Sequence, residues 1–379
     1  MLTKTHLFEA RTQGYHTYRI PGLLATGGGV VLATCEARPG GGGDYDDNDI
    51  LLRRSPDGGK TWQPHRLVVG HDRYGPGPVS NFAMIGDQSD GAVHALYCHD
   101  YARAFYVRSD DCGASFSPPV EITAVLEEFR REYPWQVCAT GPGHGTQLRS
   151  GRLIVPVWLS DGTGTEFGPG KRGHRPSAVS LVYSDDHGRT WRRGEIVCRH
   201  GQGVVVNPSE TAMVELADGS VLFNLRSESA RSRRLVSVSP DGVAGWSEPR
   251  FDEALLEPVC MAGLIRHSWP GDGQRGRILF ANPDNLENDL IPPGGHVAHD
   301  RKRLTVKLSD DECRTWAISK VIEEGPSGYC DLAVPADGAV LCLYECGLVE
   351  HLYDNRYLTL ARFDLEWLTG GRDNMDQEE

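Results

Sequence analysis

An eight-residue motif recurs along this chain, and each copy reads as the closing turn of a β-hairpin. The good copies are Ser55-Pro56-Asp57-Gly58-Gly59-Lys60-Thr61-Trp62, Ser109-Asp110-Asp111-Cys112-Gly113-Ala114-Ser115-Phe116 and Ser184-Asp185-Asp186-His187-Gly188-Arg189-Thr190-Trp191. A degraded copy, Ser309-Asp310-Asp311-Glu312-Cys313-Arg314-Thr315-Trp316, has Cys313 in the glycine position, and a weaker one runs from Ser239-Pro240-Asp241-Gly242 to Trp246. The aspartate can accept turn N–H groups, the glycine can take a positive φ, and the aromatic ring can pack back onto the strands. Strand-like runs precede four copies, at residues 50–52, 104–107, 180–183 and 304–308. One copy would be an ordinary Asp/Gly turn. Five copies at unequal spacing mean one supersecondary unit per repeat, with loops of variable length: a bladed β architecture.

The rest of the chain agrees with that reading. Its 45 glycines and 23 prolines are dispersed between apolar runs, as expected for many short strands joined by turns. A length of 379 residues would admit two domains, but β repeats run long as one unit and no linker divides the sequence. We expect one domain over residues 1–379, of which 364–379 form a short tail. Helical periodicity is best at residues 121–132, as a loop insertion. The net charge of −13 argues against nucleic acid and anionic membranes as partners, since the whole-molecule field would repel both. No apolar run reaches the about 18 residues that a membrane helix needs. Met1-Leu2-Thr3-Lys4-Thr5-His6 has no apolar core of signal-peptide length, so the expectation is a cytoplasmic protein, or a secreted one whose leader has been removed. The ten cysteines form no CxxC pair, and their spacing suggests neither a disulfide framework nor a zinc site. Buried thiols in a reducing compartment are expected instead.

The repeats resemble the Asp boxes of the sialidase superfamily, and the resemblance extends along almost the whole chain. The family's entry motif, Tyr/Phe-Arg-Ile-Pro, stands as Tyr18-Arg19-Ile20-Pro21 ahead of the first box. The resemblance implies an all-β fold, a six-bladed β-propeller of four-stranded antiparallel blades, acting on sialylated glycans without a cofactor or metal.

It also implies a site. Sialic acid carries its carboxylate on the anomeric carbon, and arginine offers that group a planar, permanently charged, bidentate clamp. Arg19, Arg226 and Arg301 match the family's three arginines, with Arg303 an alternative to Arg301. The same carboxylate would repel an anionic nucleophile, which suits a neutral tyrosine partnered by a glutamate. Gly328-Tyr329-Cys330-Asp331 resembles the nucleophile motif, giving Tyr329, and Asn207-Pro208-Ser209-Glu210 gives Glu210 as its activating carboxylate. Asp44 is the expected general acid, on an arm with four glycines (Gly40-Gly41-Gly42-Gly43), and Asp46 and Asp47 are the runners-up. Glu345 resembles the acid that steadies the first arginine, and Arg38 is expected to reach the ring hydroxyls.

The four-glycine arm departs from the family pattern. So does the insert over residues 282–300, with Pro292-Pro293-Gly294-Gly295, which is expected to reshape the pocket around the glycerol side chain or the aglycone. Bland readings stand beside the sharp ones: surface arginines, a half-buried tyrosine ending a strand, a turn glutamate, and a solvated acidic loop. Asp44, Asp46 and Asn48 superficially match the opening of a calcium loop, but the later glycine and glutamate are missing. Rival functions are a silent sialic-acid lectin on the same scaffold, a hydrolase for a related nine-carbon keto acid such as the deaminated form, and a generic protein-binding propeller.

Overall fold

The computed structural model describes residues 1–271, 275–288, 299–351 and 354–371. It is an all-β chain whose strands meander antiparallel from one sheet to the next. The first sheet joins Thr17–Ala25, Val31–Arg38, Asp49–Ser55 and Arg66–Val69; the second joins Val79–Gly86, Val93–His99, Arg103–Ser109 and Val120–Glu121. The third is built on Val137–Thr140, Leu153–Ser160, Ser177–Ser184 and Arg192–Arg193, with two short accessory strands. The fourth comprises Thr211–Glu215, Val221–Leu225, Arg233–Ser239 and Arg250–Leu256.

The remaining strands form one seven-stranded sheet, which the long strand Ile318–Ala333 divides. Up to Pro326 this strand pairs with Lys302–Ser309; from Ser327 onward it pairs with Val340–Leu348. Strands Gly263–Ser268 and Arg277–Pro283 complete one side of the division. On the other side Thr3–Glu9 pairs with Asn355–Phe363, so the first strand of the chain completes its last sheet. That pairing covers an edge that would otherwise expose unpaired backbone groups.

Each octapeptide is a hydrogen-bonded knot. In the first, the Gly59 N–H donates to Ser55 Oγ at 2.8 Å, while Asp57 accepts the Thr61 N–H at 2.8 Å and the Thr61 hydroxyl at 2.7 Å. The pattern repeats at Ser109, Asp111 and Ser115, at Ser184, Asp186 and Thr190, and at Ser309, Asp311 and Thr315. These bonds favour the charged carboxylate and pull the Asp57, Asp111 and Asp186 pKa values down to about 2, although for Asp186 burial is the largest single influence and acts the other way. Cys313 holds the glycine position at φ 62°, a left-handed backbone in a non-glycine residue.

The box glycines also join neighbouring sheets. A Cβ on Gly113 of the second sheet would lie 2.6 Å from Leu32 of the first, and one on Gly188 of the third would lie 2.5 Å from Tyr106 of the second. Gly242 meets Ile154, and Gly59 meets Leu341 of the last sheet, so the contacts run from each sheet to its predecessor. Gly113→Ala adds this clash to a φ of +75°. It is expected to cost about 2–4 kcal/mol, against about 1–2 kcal/mol for an alanine that meets only the left-handed backbone. Gly151→Ala (φ +91°, with no atom within 4 Å) is that comparison, read from urea unfolding midpoints.

The helix expected at 121–132 is shorter: Val120–Glu121 belongs to the second sheet, followed by an α-turn at Thr123–Glu127 and a 3-10 turn at Glu128–Arg131. The Ile122 N–H is drawn onto the Ala104 carbonyl at 2.8 Å, which delays the helix, while Leu126 and Phe129 bury beside Trp135. The tail begins with a short helix, Leu365–Thr369, capped by Asp364, and its residues 372–379 lie outside the described ones. So do residues 289–298 of the insert. Nine of the ten cysteines are buried, and Cys112 is partly exposed.

Candidate active site

The site assembles where strands end or change partner. Tyr329 lies just past the division of the long strand, inside a register shift between Ser327 and Cys330. Arg19 sits at the matching irregularity of the first sheet, before Ile20, which has a φ of 57°. Glu210 and Arg226 flank the first hairpin of the fourth sheet and pair through backbone, Arg226 N–H to Glu210 carbonyl at 3.0 Å. Arg301 immediately precedes Lys302–Ser309, and its carbonyl accepts the Ser327 N–H at 2.9 Å.

Tyr329 is the hub. It is only 6% exposed, and its phenol donates to Glu210 in a short hydrogen bond. Arg226 Nη1 donates to the phenol oxygen at 2.7 Å and also contacts the Glu210 carboxylate. The guanidinium carbons of Arg19 and Arg301 lie 5.4 and 5.2 Å from the Tyr329 ring centroid. Burial drives the phenol's pKa well above its ordinary value; Arg226 and Arg301 oppose this and Glu210 adds to it. The resting phenol is therefore neutral. Its proton already lies on the hydrogen bond to Glu210, the one carboxylate that the phenol touches.

Glu345, 1% exposed, fixes this geometry from beneath. It accepts Arg19 Nε at 3.1 Å and Nη2 at 3.4 Å, and the backbone N–H groups of Ile20 and Tyr329 at 3.1 Å each. A Cβ on Gly328 would lie 2.4 Å from the Glu345 carboxylate, so the residue before Tyr329 must be glycine. Arg301 donates through Nη2 to the Val259 carbonyl at 2.6 Å. Arg303, the alternative, is exposed.

Asp44 approaches from the glycine arm, partly exposed, and accepts Arg38 Nη1 at 2.8 Å. Burial raises its pKa, but Arg38, His174 and Arg19 together outweigh that and hold it at about 2. The runners-up are engaged in the loop: Asp46 accepts the Gly43 N–H at 2.8 Å, and Asp47 the Gly77 N–H at 3.0 Å. Arg38 differs from the expected contact with a sugar. It is 1% exposed, because Glu36, Asp44 and the Gly42 carbonyl take its terminal nitrogens beneath the arm. Among the described residues, no three His, Cys, Asp or Glu side chains gather as a metal site.

Two features escaped the sequence reading. Glu36 shares a strand face with Arg38 at the two-residue period, a spacing that could have flagged the pair. Asp331, two residues past Tyr329, accepts the Leu23 N–H at 2.8 Å and contacts His144 at 2.7 Å in the buried floor. His144 comes from a distant loop, and no local signal announces it.

A family model described as a BNR repeat-like domain matches residues 29–342. Sialidase-4 of Homo sapiens is 33% identical over 444 residues, covering 91% of this chain and 90% of that protein. The chain belongs to the sialidase family. A sialidase of Micromonospora viridifaciens is 31% identical over 398 residues, covering 98% of this chain; the chain spans 55% of that relative's length. Among solved structures, the Hadza microbial sialidase Hz136 superposes with a TM-score of 0.77 at 25% identity, covering 97% of this chain and 69% of that one. Within the sialidase family, then, the chain gathers Glu210 and three arginines around the buried Tyr329.

Proposed function

We propose that the chain is an exo-α-sialidase that removes terminal sialic acid from glycans with retention, through a tyrosyl intermediate. The observation that carries this reading is the neutral phenol of Tyr329, bonded to Glu210 and surrounded by the guanidinium groups of Arg19, Arg226 and Arg301. A dense cationic cluster beside an uncharged nucleophile suits an anomeric carbon that itself bears a carboxylate. The four separate sheets, with the seven-stranded sheet counted as two units meeting at residues 326 and 327, would make six blades. We read them as one propeller domain spanning the chain.

In the first step the Tyr329 oxygen attacks the anomeric carbon while its proton passes to Glu210, and the glycosidic bond breaks with a proton delivered from Asp44 to the leaving oxygen. In the second, Asp44 takes a proton from water as the water attacks the same carbon, the bond to the tyrosine oxygen breaks, and Glu210 returns its proton to that oxygen. Two displacements give retention. Incubation with 3′-sialyllactose, followed by proton NMR, should show the α-anomer of free sialic acid first. The β-anomer appearing first, or no release at all, would reject the proposal.

The charge on Asp44 adds a pH prediction. In the free site Arg38 and Arg19 favour the ionised carboxylate, which is unprotonated above about pH 2. A bound substrate carboxylate offsets that positive charge and raises the Asp44 pKa. The alkaline limb of the kcat profile should therefore lie at higher pH than that of kcat/KM, since the two report the bound and free enzyme respectively.

A further inference from the structure

The glycine arm would be a poor platform for an acid unless something held it. Gly42 sits at φ +87°, and Gly40 and Gly43 bring no side chain to pack. Asp44 itself is held by the contact with Arg38. Its neighbour Tyr45, however, reaches into the loop over residues 161–176, between strands of the third sheet. The Tyr45 hydroxyl donates to the Arg172 carbonyl at 2.7 Å. Its ring lies 5.2 Å from Tyr101, 5.3 Å from Phe167 edge-on and 5.7 Å from His174, measured between centroids.

The socket is firm. The His174 N–H donates to Glu166 at 2.6 Å, the Gly164 N–H to the Arg175 carbonyl at 2.8 Å, and Arg172 pairs with Asp100 at 2.7 Å. The glycine arm of one sheet is thus tied to a braced loop two sheets away, one residue from its acid.

We propose that Tyr45 is a positioning residue: by docking in the Tyr101–Phe167–His174 socket it holds the Asp44 carboxyl at the leaving-group oxygen. This rests on the sialidase reading, with Asp44 as the acid. The device acts on proton delivery and leaves the arginine clamp and Tyr329 untouched. Its signature is therefore a dependence on the leaving group. A sugar hydroxyl departs slowly without a proton, whereas a nitrophenolate departs without one.

The experiment compares Tyr45→Ala, Tyr45→Phe and the socket variant Phe167→Ala with wild type, on 3′-sialyllactose and on p-nitrophenyl α-sialoside. Tyr45→Ala is expected to lower kcat/KM on sialyllactose about 100-fold, the scale of general-acid catalysis, and on the aryl substrate less than about threefold. Phe167→Ala should give the same selective loss, and Tyr45→Phe, which keeps the ring, should recover most of the rate. Equal losses on both substrates, or no loss on sialyllactose, would overturn the anchor. An inactive wild type would instead bring down the sialidase reading beneath it, and the wild-type rate tells the two failures apart.

Discussion

Tyr329→Phe is expected to lower kcat on sialyllactose by about three orders of magnitude or more, with KM and the affinity for a dehydrated sialic-acid analogue nearly unchanged. Phenylalanine fills the same space and keeps the ring between the arginine groups, but it has no oxygen to attack the anomeric carbon. Removal of a covalent nucleophile acts on at least about this scale in other hydrolases. Binding should survive because Arg19 and its partner Glu345 do not use the phenol oxygen. Steady-state kinetics on sialyllactose, with calorimetry on the analogue, separates the two effects. A lectin would differ in turnover alone: binding in both proteins and hydrolysis by neither.

The second large effect is expected at Arg226. Its Nη1 touches both the phenol of Tyr329, at 2.7 Å, and the Glu210 carboxylate. Arg226→Ala therefore removes a clamp on the substrate acid and also the cation that helps the phenol lose its proton. Loss of a bidentate, charge-assisted contact costs about 3 kcal/mol, or roughly 150-fold. For Arg226→Ala we expect about that increase in KM together with a fall in kcat. Arg301→Ala should raise KM by a similar factor with a smaller fall in kcat, because Arg301 lowers the phenol's pKa less than Arg226 does. Equal kcat values for the two variants would mean that Arg226 binds only.

What the sequence disclosed follows from the physics of each feature. The octapeptides are local: Ser55, Asp57, Gly59 and Thr61 bond among themselves, so their spacing alone betrays the turn. Single candidates were legible where they stand in short strand-end motifs, as Arg19 does in Tyr18-Arg19-Ile20-Pro21 and Tyr329 in Gly328-Tyr329-Cys330. Their mutual geometry was not, since Tyr329 and Glu210 are 119 residues apart and meet only when the sheets converge. The burial of Arg38 stayed hidden for a similar reason: the arm folds back, so Asp44, six residues on, covers the guanidinium. The socket around Tyr45 joins segments 127 residues apart that share no motif. The 121–132 helix failed at its start because periodicity carries no information about the Ala104 carbonyl that captures Ile122.

The central claim is chemical: a buried, uncharged phenol attacks a carbon whose carboxylate is held by arginine. The most direct measurement is intact-protein and peptide mass spectrometry after incubation with 2,3-difluorosialic acid, in which fluorine at C3 slows release of the intermediate. One glycosyl adduct on the peptide containing Tyr329, absent in Tyr329→Phe, is the predicted result. An adduct on another residue, or none from a wild type that hydrolyses sialyllactose, would contradict the account.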